Sequence, residues 1–182
     1  FSNLGDETTW GANDYIDIVP YDGDEITGLE NYSSDGLLIF KKRSIFLLQG
    51  DSPTNFVVQR IAQGVGCSHF YSLQVVEEII FFLSWDGVYQ LAPTTGIRRI
   101  SDTLTRYFLD ANTDSSIYFA STAVGPALTS TVLPLHKQYW IKFSQGSGDN
   151  RCFVYQYDKE TWTEFAESFF TFGTGGNFNA YT

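Results

Sequence analysis

The sequence predicts an all-β chain built from repeated four-stranded antiparallel sheets, and three observations carry that prediction. Short runs rich in Val, Ile, Leu and Phe alternate with Gly, Asp, Ser and Pro punctuation, the pattern of strands joined by tight turns. Four such runs recur as a unit, starting near Ile26, Ser72 and Leu128. A period of roughly 40 to 50 residues is that of β-propeller blades. Aromatic residues make up 17% of the chain while helix-favouring Ala, Lys and Glu are sparse, and aromatic side chains suit a pleated, half-buried surface. The expected fold is a β-propeller fragment of about three four-stranded blades, with parts of two flanking blades.

Each element has its own signal. In residues 1–25, a Gly5-Asp6-Glu7 turn leads to Trp10, placed to cover a blade edge. Tyr15-Ile-Asp-Ile-Val19 alternates apolar and polar positions, which predicts the outer strand of a preceding blade. Pro20 to Glu25 reads as a turn in which Asp22-Gly23 supplies a positive φ cheaply. The first full blade, 26–64, takes Ile26 to Asn31 as inner strand, with Gly28 permitting close approach of neighbouring strands. Leu37 to Phe40 and Ile45 to Leu48 are its buried central strands, and Asn55 to Ile61 its more polar outer strand. Lys41-Lys42-Arg43 between the central strands reads as a solvated turn. Gly64-Val-Gly66 crosses to the next blade.

The second blade, 72–101, has central strands at Ile79 to Leu83 and Val88 to Leu91 around a tight turn, Trp85-Asp86-Gly87. Ser101-Asp102 resembles a helix cap, and Leu104, Tyr107 and Phe108 have helical spacing. A short helix over Asp102 to Asp110 is therefore expected to open an insertion at 102–127. Insertions of this kind sit on loops at one rim of a repeat fold. The third blade, 128–166, has central strands at Tyr139 to Phe143 and Cys152 to Tyr157, and Asp158 to Trp162 turns into its outer strand. Trp140, Phe153 and Tyr155 are expected to pack between blades. Ser168 to Phe172 reads as the start of a further blade within 167–182. The chain begins with Phe1 and holds no Met, so it is expected to be an internal piece of a longer polypeptide.

Composition narrows the function. A formal charge of -10 argues against a surface that grips phosphate backbones, because nonspecific nucleic-acid affinity comes from clustered Lys and Arg. No apolar run approaches the roughly 18 residues that suggest a bilayer span, so no membrane anchor is expected. Cys67 and Cys152 lie in different repeats without framework spacing and read as buried free thiols.

Glycosidases set two acids across a sugar bond, and Asp22, Asp24, Glu25, Glu77 and Glu78 are available; all fall in turns or strand ends, where β-proteins place solvated charge. Asp22-Gly-Asp24-Glu25 offers oxygen ligands to calcium but lacks the length of a dedicated loop. Cys67-Ser-His69 offers two zinc ligands, yet Cys152 and His136 are not brought near them by spacing. No Gly-x-Ser-x-Gly elbow occurs, and Gly173-Thr-Gly-Gly176 opens onto no helix. Trp10, Trp85 and Trp162 either stack on sugars from exposed loops or plug the seams between blades. No catalytic, cofactor-binding or metal-binding residue is assigned.

One ordered set of segments is distinctive: Asn3 to Trp10, Tyr15 to Ile18, Asp22-Gly-Asp-Glu-Ile-Thr-Gly-Leu29, Leu37-Leu-Ile-Phe-Lys-Lys-Arg-Ser-Ile-Phe46, Phe81 to Tyr89 and Ile100-Ser101. Over Phe1 to Ser101 this order resembles the propeller module of tailed-bacteriophage virion proteins, including the tail nozzle, hub and tail-tube-associated proteins of short-tailed phages. The resemblance implies a noncatalytic structural part of a phage tail or head-to-tail connection, located in the virion. It implies a ring of copies bound to other virion subunits, through which DNA passes without specific binding. Acidic walls repel the DNA backbone, which suits such a passage. A receptor- or glycan-binding propeller is the second reading and a glycan-cleaving enzyme the third.

Overall fold

Apolar runs bounded by turn residues fold as twelve strands among the described residues of the computed structural model, which are 8, 15–32, 36–52, 54–105, 128–143 and 151–165. The strands are β1 (Ile26–Tyr32), β2 (Gly36–Lys41), β3 (Ser44–Gln49), β4 (Val57–Gln63), β5 (Gln74–Val76), β6 (Ile79–Ser84), β7 (Gly87–Ala92), β8 (Gly96–Arg99), β9 (Leu128–Leu133), β10 (Gln138–Phe143), β11 (Arg151–Gln156) and β12 (Thr161–Phe165). They form three four-stranded antiparallel sheets, β1-β2-β3-β4, β5-β6-β7-β8 and β9-β10-β11-β12. The fold is all-β, and each sheet is a meander in chain order, as in a propeller blade. Residues 1–68 make one compact unit and residues 69–182 a second.

The first unit holds the sheet β1–β4. Leu38, Ile39 and Phe40 on β2 and Ile45 and Phe46 on β3 are all buried, so both faces of the central strands are covered, as their unbroken apolar runs predict. The outer strand β4 is largely exposed and starts two residues later than the sequence suggests. The reason lies in Asn55, whose Oδ1 accepts the backbone N–H of Asp51 and of Ser52 and holds the segment in a loop. Bulges fall between Ile26 and Gly28 in the β1–β2 pairing and between Ile45 and Phe46 in the β3–β4 pairing.

The expected strand at Tyr15 to Val19 is not formed. A strand requires a hydrogen-bonded neighbour, and among the described residues none runs beside this segment. Instead Val19 and Tyr21 take left-handed backbone angles, φ 48° and 66°, followed by Gly23 at 71°.

In the second unit the sheets β5–β8 and β9–β12 share one core. Strand alternation sends Phe81 and Leu83 of β6, Val88 of β7, Tyr139, Ile141 and Phe143 of β10, and Phe153 and Tyr155 of β11 into it. Phe81 is its centre: Tyr139 stacks on it at 4.9 Å, Tyr155 meets it edge-on at 6.1 Å and Tyr157 lies at 5.8 Å. Each fully buried aromatic or branched side chain here stabilises the unit by about 1.5–3 kcal/mol. Phe153 and Tyr155 thus pack between sheets as expected. Trp140 does not belong to this core; it stacks on Phe165 of its own sheet at 5.5 Å.

The strand β5 is only Gln74–Val76, because a 3-10 turn at Phe70–Ser72 precedes it. Ser101 does not cap a helix with its side chain, and Asp102–Leu104 is a 3-10 turn. The rest of the expected helix, the insertion through residue 127, Trp10, residues 167–182 and the glycine run 173–176 lie outside the described residues.

Candidate functional site

Among the described residues of the first unit, a dense polar constellation joins the acidic turn 22–25 to the basic turn 41–44. Lys41 ends β2 on its buried side and is only 3% exposed. A buried ammonium must satisfy all three of its N–H groups. Its Nζ does so by donating to Asp22 Oδ2 at 2.8 Å, Asp22 Oδ1 at 3.0 Å and the Val19 carbonyl at 3.2 Å. The left-handed angles at 19 and 21 coil the segment so that both acceptors reach this one group. The Lys41 hydrogen bond, aided by the Asp24 N–H, holds the Asp22 carboxyl below its ordinary value.

Asp24 completes the join. Its carboxylate accepts the Arg43 N–H at 3.0 Å and the Ser44 hydroxyl at 2.7 Å. Glu25 pairs with Lys42 at 2.8 Å, which lowers the Glu25 pKa, and its carbonyl accepts the Lys42 N–H at 3.1 Å. From the far side, Gly64 and Cys67 donate their N–H groups to the Arg43 and Lys41 carbonyls at 2.8 and 2.9 Å. Thr27 Oγ1 donates to the Cys67 carbonyl at 2.7 Å. Gly66 lies so close that a Cβ there would stand 2.2 Å from the Lys41 carbonyl oxygen. Three segments far apart in sequence are thereby clasped at one end of the sheet.

The clasp corrects the reading of Lys41-Lys42-Arg43 as a solvated turn. Lys42 is exposed, but Lys41 is buried and ion-paired. It also reassigns the carboxylates considered for calcium or for sugar cleavage, since Asp22, Asp24 and Glu25 each hold a cation or backbone donor of the same sheet. Glu77 and Glu78 form the β5–β6 turn in the second unit, where Glu77 accepts from Lys137 at 3.0 Å.

Polar ties cross between the two sheets of the second unit. Lys137–Glu77 and Arg98–Glu160 pair at 3.0 and 2.7 Å; the hydrogen bond to Glu77 raises Lys137, that to Glu160 raises Arg98, and that from Arg98 lowers Glu160. Tyr139 Oη donates to the Ser72 carbonyl at 2.9 Å, and Trp162 Nε1 to the Ile100 carbonyl at 2.7 Å. Trp162 also packs on Tyr155 at 4.9 Å, so it fills the seam. Trp85 is different, being 55% exposed at the β6–β7 turn.

Sequence reasoning missed a cluster at that turn. Tyr89 Oη donates to Asp86 Oδ2 at 2.9 Å, and Arg99 Nη2 donates to the Asp86 carbonyl at 2.8 Å and to Thr105 Oγ1 at 3.2 Å. Burial, reinforced by the hydrogen bond to Asp86, pushes the Tyr89 phenol up to about 12. The phenol stays protonated as a donor, and the cluster fastens the turn to the end of β8. Its only sequence signal was an Arg at a strand end, a weak one.

Cys67 and Cys152 are buried and unbridged. Burial pushes the Cys152 thiol up to about 11, away from nucleophilic use. Among the described residues no three His, Cys, Asp or Glu side chains converge in a metal-holding group. None of their helices is long and apolar enough to cross a membrane.

The chain matches no protein-family model and no curated protein. The charged groups described above hold sheets together; their arrangement supplies binding geometry for the chain's own segments.

Proposed function

We propose that this chain is a noncatalytic structural protein of a tailed-phage virion. Its blades form part of the tail, at a nozzle, hub or head-to-tail connection, and bind neighbouring virion subunits around the DNA channel. One observation supports this most directly. The order that makes the resemblance to phage propeller modules distinctive, Asp22 to Leu29 followed by Phe40 to Ile45, contains the residues that interlock in the clasp. A resemblance carried by mutually dependent residues is one of architecture, and architecture is what a virion scaffold needs. The formal charge of -10 favours a wall that repels passing DNA.

The test is cryo-electron microscopy of this protein, alone and in purified particles. Symmetric copies around a tail axis, with an acidic channel face, are the expected result. A polypeptide absent from particles, or one whose ring presents a cationic channel, overturns the proposal. The half-exposed Trp85 keeps a second reading in play, a receptor-binding propeller at the particle periphery. A peripheral position, with adsorption to host cells lost on Trp85→Ala, favours that reading.

A further inference from the structure

One end of the first sheet carries a cleft of about 590 Å³. Small-molecule sites typically fall within about 300–1,000 Å³. Its floor is a single cross-strand row: Asn31 of β1 stands opposite Leu37 of β2, and Leu37 opposite Leu48 of β3. Directly opposed residues share a face, so an amide and two half-buried aliphatic side chains lie side by side.

The loop after β3 forms the wall. Asn55 fixes it from within, accepting two backbone N–H groups through Oδ1 and donating through Nδ2 to Asp51 Oδ1. Gly50 suits the bend, at φ 116°. The wall is thus set before any ligand arrives, which lowers the ordering cost of binding. Phe56 adds an aromatic side chain to the lining. Among the described residues no group hydrogen-bonds the Asn31 amide or the second oxygen of Asp51.

We propose that this cleft binds a neutral saccharide. The C–H faces of a pyranose suit Leu37, Leu48 and Phe56, while its hydroxyls can donate to Asp51 and both donate to and accept from Asn31. Among the described lining residues there is no Lys, Arg or His, so a phosphate, sulfate or carboxylate ligand would meet no cation from them. The inference stands apart from placement in a virion, because it concerns the isolated chain and is read by binding alone.

The experiment titrates the full chain with cellobiose, maltotriose and N,N′-diacetylchitobiose by calorimetry and saturation-transfer NMR, with dextran sulfate as the anionic arm. Saturable binding of at least one neutral sugar is expected. Asn31→Ala should weaken it roughly three- to tenfold, the loss of about one hydrogen bond, with the unfolding midpoint unchanged. Leu37→Trp should abolish it by filling the floor. Absence of saturable binding to all three sugars, binding indifferent to both substitutions, or binding of dextran sulfate alone would overturn the proposal.

Discussion

At the scale of single residues, Lys41 and Gly66 carry more of the first unit than their types suggest. The carboxyls of Asp22 and Glu25 are depressed below ordinary values of 3.8 and 4.5 by Lys41 and Lys42. A depressed carboxyl contributes stability in full above its unfolded pKa and loses it as pH falls through the folded value. Unfolding followed from pH 7 downward should therefore show stability declining below about pH 4, most of it through Asp22, since the Lys42–Glu25 pair is exposed and worth little. Lys41→Met should flatten that acid slope; an unchanged slope would remove Lys41 from the account. The glycines give a sharper contrast. At Gly64, φ is 84° and a Cβ would meet nothing within 4 Å, so Gly64→Ala should cost only about 1 kcal/mol of conformational strain. Gly66→Ala drives a Cβ into the backbone at Lys41, Lys42 and Arg43 and should cost about 3 kcal/mol or more, read by denaturant titration of the two variants.

At the scale of elements, two serines finish the edges of the sheet β5–β8. Leu83 and Val88 face each other across β6 and β7. The Leu83 N–H is taken by Ser72 Oγ at 2.9 Å, and the Val88 N–H by Ser101 Oγ, also at 2.9 Å. Both serines are fully buried, so each hydroxyl accepts the bond that an edge strand would have supplied. Ser101→Ala and Ser72→Ala should each cost about 1–3 kcal/mol, because each strands a buried N–H. Faster amide exchange at Val88 and Leu83, respectively, would locate the loss. The seam between the two sheets of the second unit divides its energy unevenly. Phe81→Ala empties the centre of the shared core and should cost about 3–5 kcal/mol. Arg98→Ala removes an exposed ion pair and should cost less than about 1 kcal/mol in the same unfolding assay. Equal losses would mean that the seam is held electrostatically.

At the scale of the whole molecule, one thiol lies in each unit and serves as a native reporter. Cys67 and Cys152 are both buried, and Cys152 is further suppressed by its raised pKa. Neither should react measurably with Ellman's reagent in the native chain at pH 8, and both should react after denaturation; a fast native phase would mean that one unit opens readily. The strand skeleton was legible because central strands buried on both faces read as continuous apolar runs, as in Leu37 to Phe40 and Ile79 to Leu83. Tyr15 to Val19 misled because alternation records a capacity to pair and says nothing about whether a partner runs alongside. Lys41 misled because a charge beside a turn is usually solvated, and only its three acceptors reveal that it points inward. Ser101 misled because a hydroxyl before Asp suits a helix cap and an edge acceptor equally well. Of the proposed sugar cleft the sequence showed nothing, because Asn31, Leu37 and Leu48 meet only through strand register.

The clasp also bears on how the chain is made. A ribosome delivers the carboxylates of the 22–25 turn first, Lys41 nineteen residues after Asp22, and the Cys67 carbonyl forty residues after Thr27. Until that last span emerges, the early acidic turn has counter-ions but no backing. The first sheet therefore becomes a finished body only when the chain has already begun the connection to the second.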